Sequence, residues 1–183
     1  VTDTLVLTTL PDDVTLRLLH RDDGPALAAA YARNREHLEP WEPARPAAFY
    51  EPDYQSQRIP VQLLEHLNGR SVPFVLERDD EIVGRVNLSD VVRGAFCSAH
   101  LGYWVDARLA GRGIMSAAVE AAAVHARDEL GLHRIQAATL LHNTGSQRVL
   151  ERTGFERIGT APKYLQIAGQ WQDHVLFQRI LHD

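Results

Sequence analysis

The stretch that most restricts how this chain can fold is LGYWV (101–105) followed by RLAGRGIM (108–115). An apolar run gives way to a short turn with two glycines. An alanine-rich segment follows, in which Ile114, Ala117, Ala121 and Val124 recur every three or four residues. That order predicts strand, turn, helix. Gly111 and Gly113 let the backbone take positive φ and come close to a ligand. The first N–H groups of a helix lack partners, and the helix dipole favours an anion beside them. Arg108 and Arg112 add two positive charges there. A phosphate or pyrophosphate is the expected guest, although a plain tight turn reads as well from this stretch alone. Two phosphate motifs are excluded. No Gly-Lys-Ser/Thr follows, as a P-loop needs, and Ser116 stands where a dinucleotide fingerprint needs its third glycine.

At 183 residues the chain reads as one domain over 1–183, with its core in 14–180. A net charge of −5 argues against broad nucleic-acid affinity, so any anion site must be local. The single cysteine, Cys97, cannot form an internal disulfide and suits a reducing compartment. No apolar run reaches membrane-spanning length. The first residues lack the basic, apolar and small-residue order of a signal peptide. The expectation is a cytoplasmic protein that engages neither membrane nor nucleic acid directly.

Along the chain, 14–20 reads as a strand, with 5–7 a preceding edge segment. Asp22 or Asp23 can cap a helix over 26–33, with Pro25 in its first turn. The segment 34–43 is dense in Pro, Trp and acids, and reads as a rigid connector or a binding wall. A second helix is expected over 55–67, stopped near Asn68 and Gly69. A strand over 72–76 turns at 78–81 into another, which is expected to place Ile82, Gly84, Val86 and Leu88 on one face and Arg85 and Asn87 on the other. Residues 96–105 form the strand that feeds the glycine turn, and 133–141 the next, with Ile135, Ala137 and Thr139 alternating. Asn143 can cap a helix that runs to Thr153, with Gly154 at its C-terminal stop. Strands over 155–167 and 171–180 close the chain around a turn at 168–170. Three strands in series argue for antiparallel pairing, and the strand–helix–strand unit from 97 to 141 for one parallel pair. The fold class is therefore α/β (α+β): a mixed, mostly antiparallel sheet with one central parallel pair and helices on both faces.

An arginine, two residues and G-x-G at a strand–helix junction resembles the coenzyme A pyrophosphate motif of the GNAT acyltransferases. Asn143, Ser146, Leu150, Gly154 and Phe155 match the N-x-x-S-x-x-x-L-x-x-x-G-F pattern that follows it in that family. The segments NREHLEPWEP (34–43), SDVVRGAF (89–96), HLGYW (100–104) and GQWQDHVL (169–176) are similar to the RimJ/RimL branch, and to its RimJ side most. That branch acetylates protein N-termini, best known on ribosomal proteins, and the resemblance spans about residues 14–180.

The resemblance implies an acetyl-CoA-dependent N-acetyltransferase that uses no metal. In this fold the two parallel strands splay, and the pantetheine arm enters the gap. Tyr103, Trp104 and Val105 then lie on the strand that offers backbone groups to the pantetheine amides. Arg108, Gly111, Arg112, Gly113 and Ile114 would receive the pyrophosphate, each charge-assisted bond contributing about 1.5–3 kcal/mol. Asn143 would bond the pantetheine arm, and Ser146, at the place of a serine near the thiol, is the implied proton donor and catalytic residue. On the acceptor side the resemblance gathers Glu36, Glu39, Trp41, Glu42, Arg93 and Trp171, from 34–43, the 90–95 loop and the 168–172 turn. The expected partner is a ribosomal protein N-terminus, and the expected state a monomer or homodimer.

The chain also departs from its relatives. Lys163 stands where the RimL-like carboxylate precedes Tyr164 and Leu165. Cys97 and Ala138 fall where other GNAT strands carry a glutamate, and Leu150 where a tyrosine acid is common. No strong general base carries over, which suits an α-amine. With a pKa of about 7.7–8.0, roughly a tenth of such amines are neutral at pH 7. A water chain to Glu36, Glu39, Glu42 or His100 could suffice for the proton, although each of the four also reads as surface or core packing. Asp173 and His174 invite a metal or triad reading, but no metal motif accompanies them. Two alternatives stay open: an acetyltransferase of small amines, and a non-catalytic coenzyme A-binding module.

Overall fold

The structure, a computed structural model, describes residues 6–183; Leu5, in the expected edge segment 5–7, lies outside the described residues. The first pair of strands is β1 (Val6–Thr9) and β2 (Thr15–Leu18). Three helices follow: α1 (Gly24–Arg33), the single turn α2 (Arg35–Leu38) and α3 (Pro52–Leu67). Next come β3 (Val72–Arg78), β4 (Glu81–Val92) and β5 (Ser98–Val105). The chain then runs through α4 (Ile114–Asp128), β6 (Arg134–Leu140), α5 (Thr144–Arg152) and the hairpin of β7 (Glu156–Ile167) with β8 (Gln170–Ile180).

Turn chemistry sets the hairpins. Asp79 and Asp80 both take positive φ (50° and 61°) between β3 and β4, and Ala168 and Gly169 do the same (48° and 78°) between β7 and β8. Two positive-φ residues match the twist of the strands they join. The eight strands lie in the order β1-β2-β3-β4-β5-β6-β8-β7. Every neighbouring pair is antiparallel except β5 and β6, which are parallel. One apolar core lies between the sheet and α4 with α5, built on Phe74, Leu76, Val86, Ile114, Ile135 and Leu150. The other lies between the sheet and α1 with α3, built on Leu27, Tyr31, Phe49, Ile59, Val75 and Trp104. The mixed sheet with helices on both faces is thus the fold expected from the order of elements.

Three local expectations fail. Ile82 does not share a face with Val86 and Leu88. The β3–β4 register shifts, so that Leu76 faces Gly84 while Glu77 faces Ile82. Val83 is the extra residue, and a bulge reverses the alternation on one side of it; Ile82 therefore joins the α1 side and Val86 the α4 side. In α4 the buried stripe is Ile114, Ala118, Val119, Ala122 and Ala126, while Val124 is exposed. The stripe is one residue off the expected one, because a helix this rich in alanine has little apolar contrast between its faces. Asp23 occupies the N-cap position of α1 but caps nothing with its side chain. Its carboxylate turns back to Arg17 (2.8 and 2.9 Å) and to His20 N (2.6 Å).

What places the site is the parallel pair. β5 and β6 are in register only at Ser98–Arg134, Ala99–Ile135 and His100–Gln136. Beyond that point β5 keeps β4 on one edge as far as Val105, and β6 keeps β8 as far as Leu140. Residues 101–105 of β5 therefore have a ladder partner on one edge only, and the strands diverge where the sequence resemblance implied a splay.

Candidate active site

The glycine turn leaves β5 at its C-terminal end. Gly111 and Gly113 take φ of 78° and 82°, and no atom lies within 4 Å of where a Cβ would stand on either. Among the described residues, the N–H groups of Gly111, Arg112 and Gly113 meet no backbone acceptor. Unbonded N–H groups that open onto clear space suit the oxygens of a pyrophosphate. The turn thus fits the group that the resemblance implies. Ile114 opens α4 beside it and is buried.

The two arginines of the turn are engaged elsewhere. Arg108 bonds Asp106 through Nε (3.0 Å) and Nη2 (3.0 Å), and Glu81 through Nη2 (2.8 Å). Its guanidinium therefore ties the turn to the end of β5 and the start of β4. Arg112 reaches Asp12 (3.2 Å) and is half exposed. Asp106 is the anchor of this junction. It is 1 % exposed and accepts from Arg33 Nε (2.8 Å), Asn34 Nδ2 (3.1 Å) and Arg108 N (2.9 Å) besides the Arg108 side chain. Burial alone would raise its carboxyl, but the bonds from Arg108, Arg33 and Asn34 outweigh that and hold it well below the usual carboxylate range.

Tyr103, Asn143 and Ser146 meet across the splay. Asn143 caps α5, its Oδ1 accepting from Ser146 N (3.1 Å). Among the described residues its amide nitrogen has no acceptor and stays free to donate. Ser146 Oγ lies 2.8 Å from the Tyr103 hydroxyl, which also stands 3.2 Å from Ser146 O. Burial pushes the Tyr103 phenol up to about 12, against the pull of its bond to Ser146. Trp104 points to the opposite face, into the core with Tyr31, and Val105 is half-buried against the α4 side. The backbone at all three positions has no ladder partner on the β6 side; the side-chain contact of Tyr103 has no signal in the motif. The position in α5 where a tyrosine acid is common holds Leu150, which is wholly buried in the core. A tyrosine hydroxyl, that of Tyr103, reaches the splay from β5.

Some of the segments expected on the acceptor side come together. Trp41 stacks on His142, the residue before Asn143, with ring centroids 5.3 Å apart. Glu42 O accepts from Ala168 N (3.0 Å), which joins the 34–43 segment to the β7–β8 turn. Beneath that joint is a cavity of about 160 Å³ lined by Tyr31, Glu39, Glu42, Arg45, Phe49 and Tyr50, among others. Glu42 pairs with Arg45 (3.3 Å), and burial pushes its carboxyl upward against the pull of Arg45 and Arg85. Glu36 and Trp171 are exposed. Arg93 is not brought to this wall. It donates to Leu130 O behind α4, and the loop that carries it is bonded to Arg70 through Val91 N. The paired Val92 and Ser98 place that loop about 17 Å along β5 from Tyr103.

The family pattern described as acetyltransferase (GNAT) domain matches residues 13–156. This chain belongs to the GNAT acetyltransferases. It is 41 % identical over 167 residues to the ribosomal protein uS5-alanine N-acetyltransferase of Escherichia coli (strain K12), covering 90 % of this chain and 86 % of that one. The crystal structure of a ribosomal-protein-S5-alanine acetyltransferase from Vibrio fischeri superimposes with a TM-score of 0.89 at 37 % identity, covering 93 % and 94 % of the two chains. RimJ of Mycobacterium smegmatis, in complex with a coenzyme A disulfide, does so with a TM-score of 0.87 at 33 % identity, covering 97 % and 85 %. The chain is an N-acetyltransferase of the RimJ/RimL branch.

Within this GNAT fold the position of the family's carboxylate is held by Lys163. Lys163 sits exposed at positive φ (49°) in a bulge of β7. The bulge is pinned by Asp173, whose Oδ1 accepts from Lys163 N (2.8 Å). His174 is buried, with Nδ1 against Gln172 O (2.9 Å) and its ring near Tyr164. The Asp173–His174 pair thus shapes the closing hairpin. His100 is the last paired residue before the splay and is half-buried there.

Proposed function

We propose that this N-acetyltransferase uses acetyl-CoA to acetylate the α-amino group of a protein N-terminus, with a ribosomal protein as its acceptor. When bound, acetyl-CoA supplies an acyl group activated as a thioester. The turn N–H groups of 111–113 hold the pyrophosphate, and the free edge of β5 pairs with the pantetheine amides. Asn143 donates its amide hydrogens to the same arm. The remaining β5 N–H groups are the donors available to the carbonyl oxygen. Ser146 gives a proton to the departing sulfur. Glu36, Glu39 and Glu42 attract an ammonium group, and a water chain to Glu42 or His100 takes up its proton.

The observation that carries the acceptor half is the joint between Trp41, Glu42 and the β7–β8 turn. Trp41 stacks beside Asn143, and Glu42 is bonded to Ala168. The wall is thus fixed next to the residues that would hold the thioester arm, and it is acidic and aromatic, which suits a basic chain end. Incubation with labelled acetyl-CoA and two panels tests this, one of N-terminal peptides and one of free amines and polyamines. Transfer to the peptides, with a peptide KM raised in Trp41→Ala at unchanged acetyl-CoA affinity, is expected. Transfer confined to the free amines would instead favour a small acceptor seated in the 160 Å³ cavity.

A further inference from the structure

We propose that Tyr103 is a positioning residue for Ser146: its hydroxyl donates to Ser146 Oγ across the splay and aims the serine's own hydrogen into the gap between β5 and β6. This rests on the reading of Ser146 as proton donor and goes beyond it, since that reading gave Tyr103 a backbone role alone.

Three observations carry the inference. The first is reach. β5 and β6 separate after His100 and Gln136, so no ladder joins Tyr103 to the strand that leads into α5. The Tyr103 side chain spans that gap, and its hydroxyl ends 2.8 Å from Ser146 Oγ. The second is the direction of donation. Ser146 O stands farther off, at 3.2 Å, and already accepts within α5, so the nearer Oγ takes the one hydrogen of the phenol. Burial also keeps the phenol protonated through the neutral range, so Tyr103 has a hydrogen to give there. A serine oxygen that accepts from Tyr103 turns its own hydrogen elsewhere. The third is what fixes the other side of the serine. Its backbone N–H is taken by Asn143 Oδ1 (3.1 Å), which holds the first turn of α5 in helical form and fixes the backbone that carries the serine.

Proton balance follows without ionising the tyrosine. Ser146 Oγ gives its hydrogen to the departing sulfur. The proton shed by the acceptor nitrogen on forming the amide replaces it. Tyr103 keeps its own hydrogen throughout and stabilises the oxygen between the two transfers. Without Tyr103 the serine hydroxyl is free to rotate, and fewer encounters find its hydrogen in the gap.

The test is a double-mutant cycle of Tyr103→Phe and Ser146→Ala, read in two ways. In the unliganded protein, the two changes should be non-additive in the unfolding midpoint, because either one removes the same bond. In turnover, Tyr103→Phe should lower kcat about tenfold, with the acetyl-CoA KM unchanged, as expected for losing one hydrogen bond that acts in the transition state. In the Ser146→Ala background the same change should lower kcat no further. Coupled unfolding with additive or absent kcat losses would make the bond a structural clasp and overturn the proposal. A kcat loss from Tyr103→Phe that persists without the serine would overturn it too, as would full activity in Tyr103→Phe. A wild-type protein that transfers acetyl to no amine would instead sink the proposed reaction, while the unfolding cycle would still report the bond.

Discussion

At the scale of single residues, two carboxylates do opposite things. Asp106 is buried and heavily bonded, and its folded pKa lies below the unfolded value of about 3.9. Its stabilising effect is present above that value and is lost as pH falls through the folded one. Asp106→Asn should therefore destabilise the fold at neutral pH by about 1–3 kcal/mol, since it removes a buried acceptor shared by Arg33, Asn34 and Arg108 while Glu81 still faces both arginines. The difference from the parent should shrink toward strong acid in thermal unfolding. Glu42 is the reverse case. Burial raises its carboxyl, so its charge works against the fold as pH rises through the folded pKa. Glu42→Gln should leave stability equal or higher at pH 7 relative to pH 4, while the peptide KM rises. A fall in both stability and peptide affinity would assign Glu42 to the joint with Arg45 and not to the acceptor. Neither role was legible in the sequence. Glu42 stood there as one acid among three, and Asp106 gathers donors from α1 and the glycine turn that only the fold brings together.

At the scale of elements, local signals were legible and distant ones were not. The glycine turn, the Asn143 cap and the Gly154 stop are each written within a few residues, and each forms where the spacing placed it. Arg108 was read from the same local stretch, but its bond to Glu81, 27 positions away, has no signal there. The Val83 bulge and the true stripe of α4 escaped for a related reason: neither changes the residue types on which periodicity depends. Tyr103 and Ser146 are 43 positions apart, and no spacing rule joins them. The turn itself makes the sharpest prediction here. Gly111→Val puts a branched side chain at φ of 78°, in the open space where the proposed reading seats the phosphate oxygens. Coenzyme A should then no longer raise the unfolding midpoint, whereas it should raise that of the parent by mass action. Normal stabilisation of the Gly111→Val variant by coenzyme A would move the pyrophosphate elsewhere. Arg108→Ala separates the two roles of that arginine: lost fold stability with modest loss of coenzyme A affinity is expected from its bonds to Asp106 and Glu81.

At the scale of the whole molecule, the sheet presents two sides of one gap. The α4 and α5 side carries the turn, Asn143 and Ser146; the other side carries the acidic segment 34–43 bonded to the closing hairpin. The net charge of −5 suits a basic acceptor, and screening by salt should raise the peptide KM. Neutralising Glu39 and Glu42 together should flatten that salt dependence. The overall fold was legible because the order of strands and helices left few ways to pair them; the identity of the acceptor was carried by resemblance alone. The most direct measurement uses one peptide that begins with alanine and holds an internal lysine, incubated with acetyl-CoA and the protein. Fragment masses then locate the acetyl group. Acetylation of the N-terminal nitrogen with the lysine untouched is the predicted result; acetyl on the lysine, or transfer to free polyamines in preference to any peptide, would contradict it.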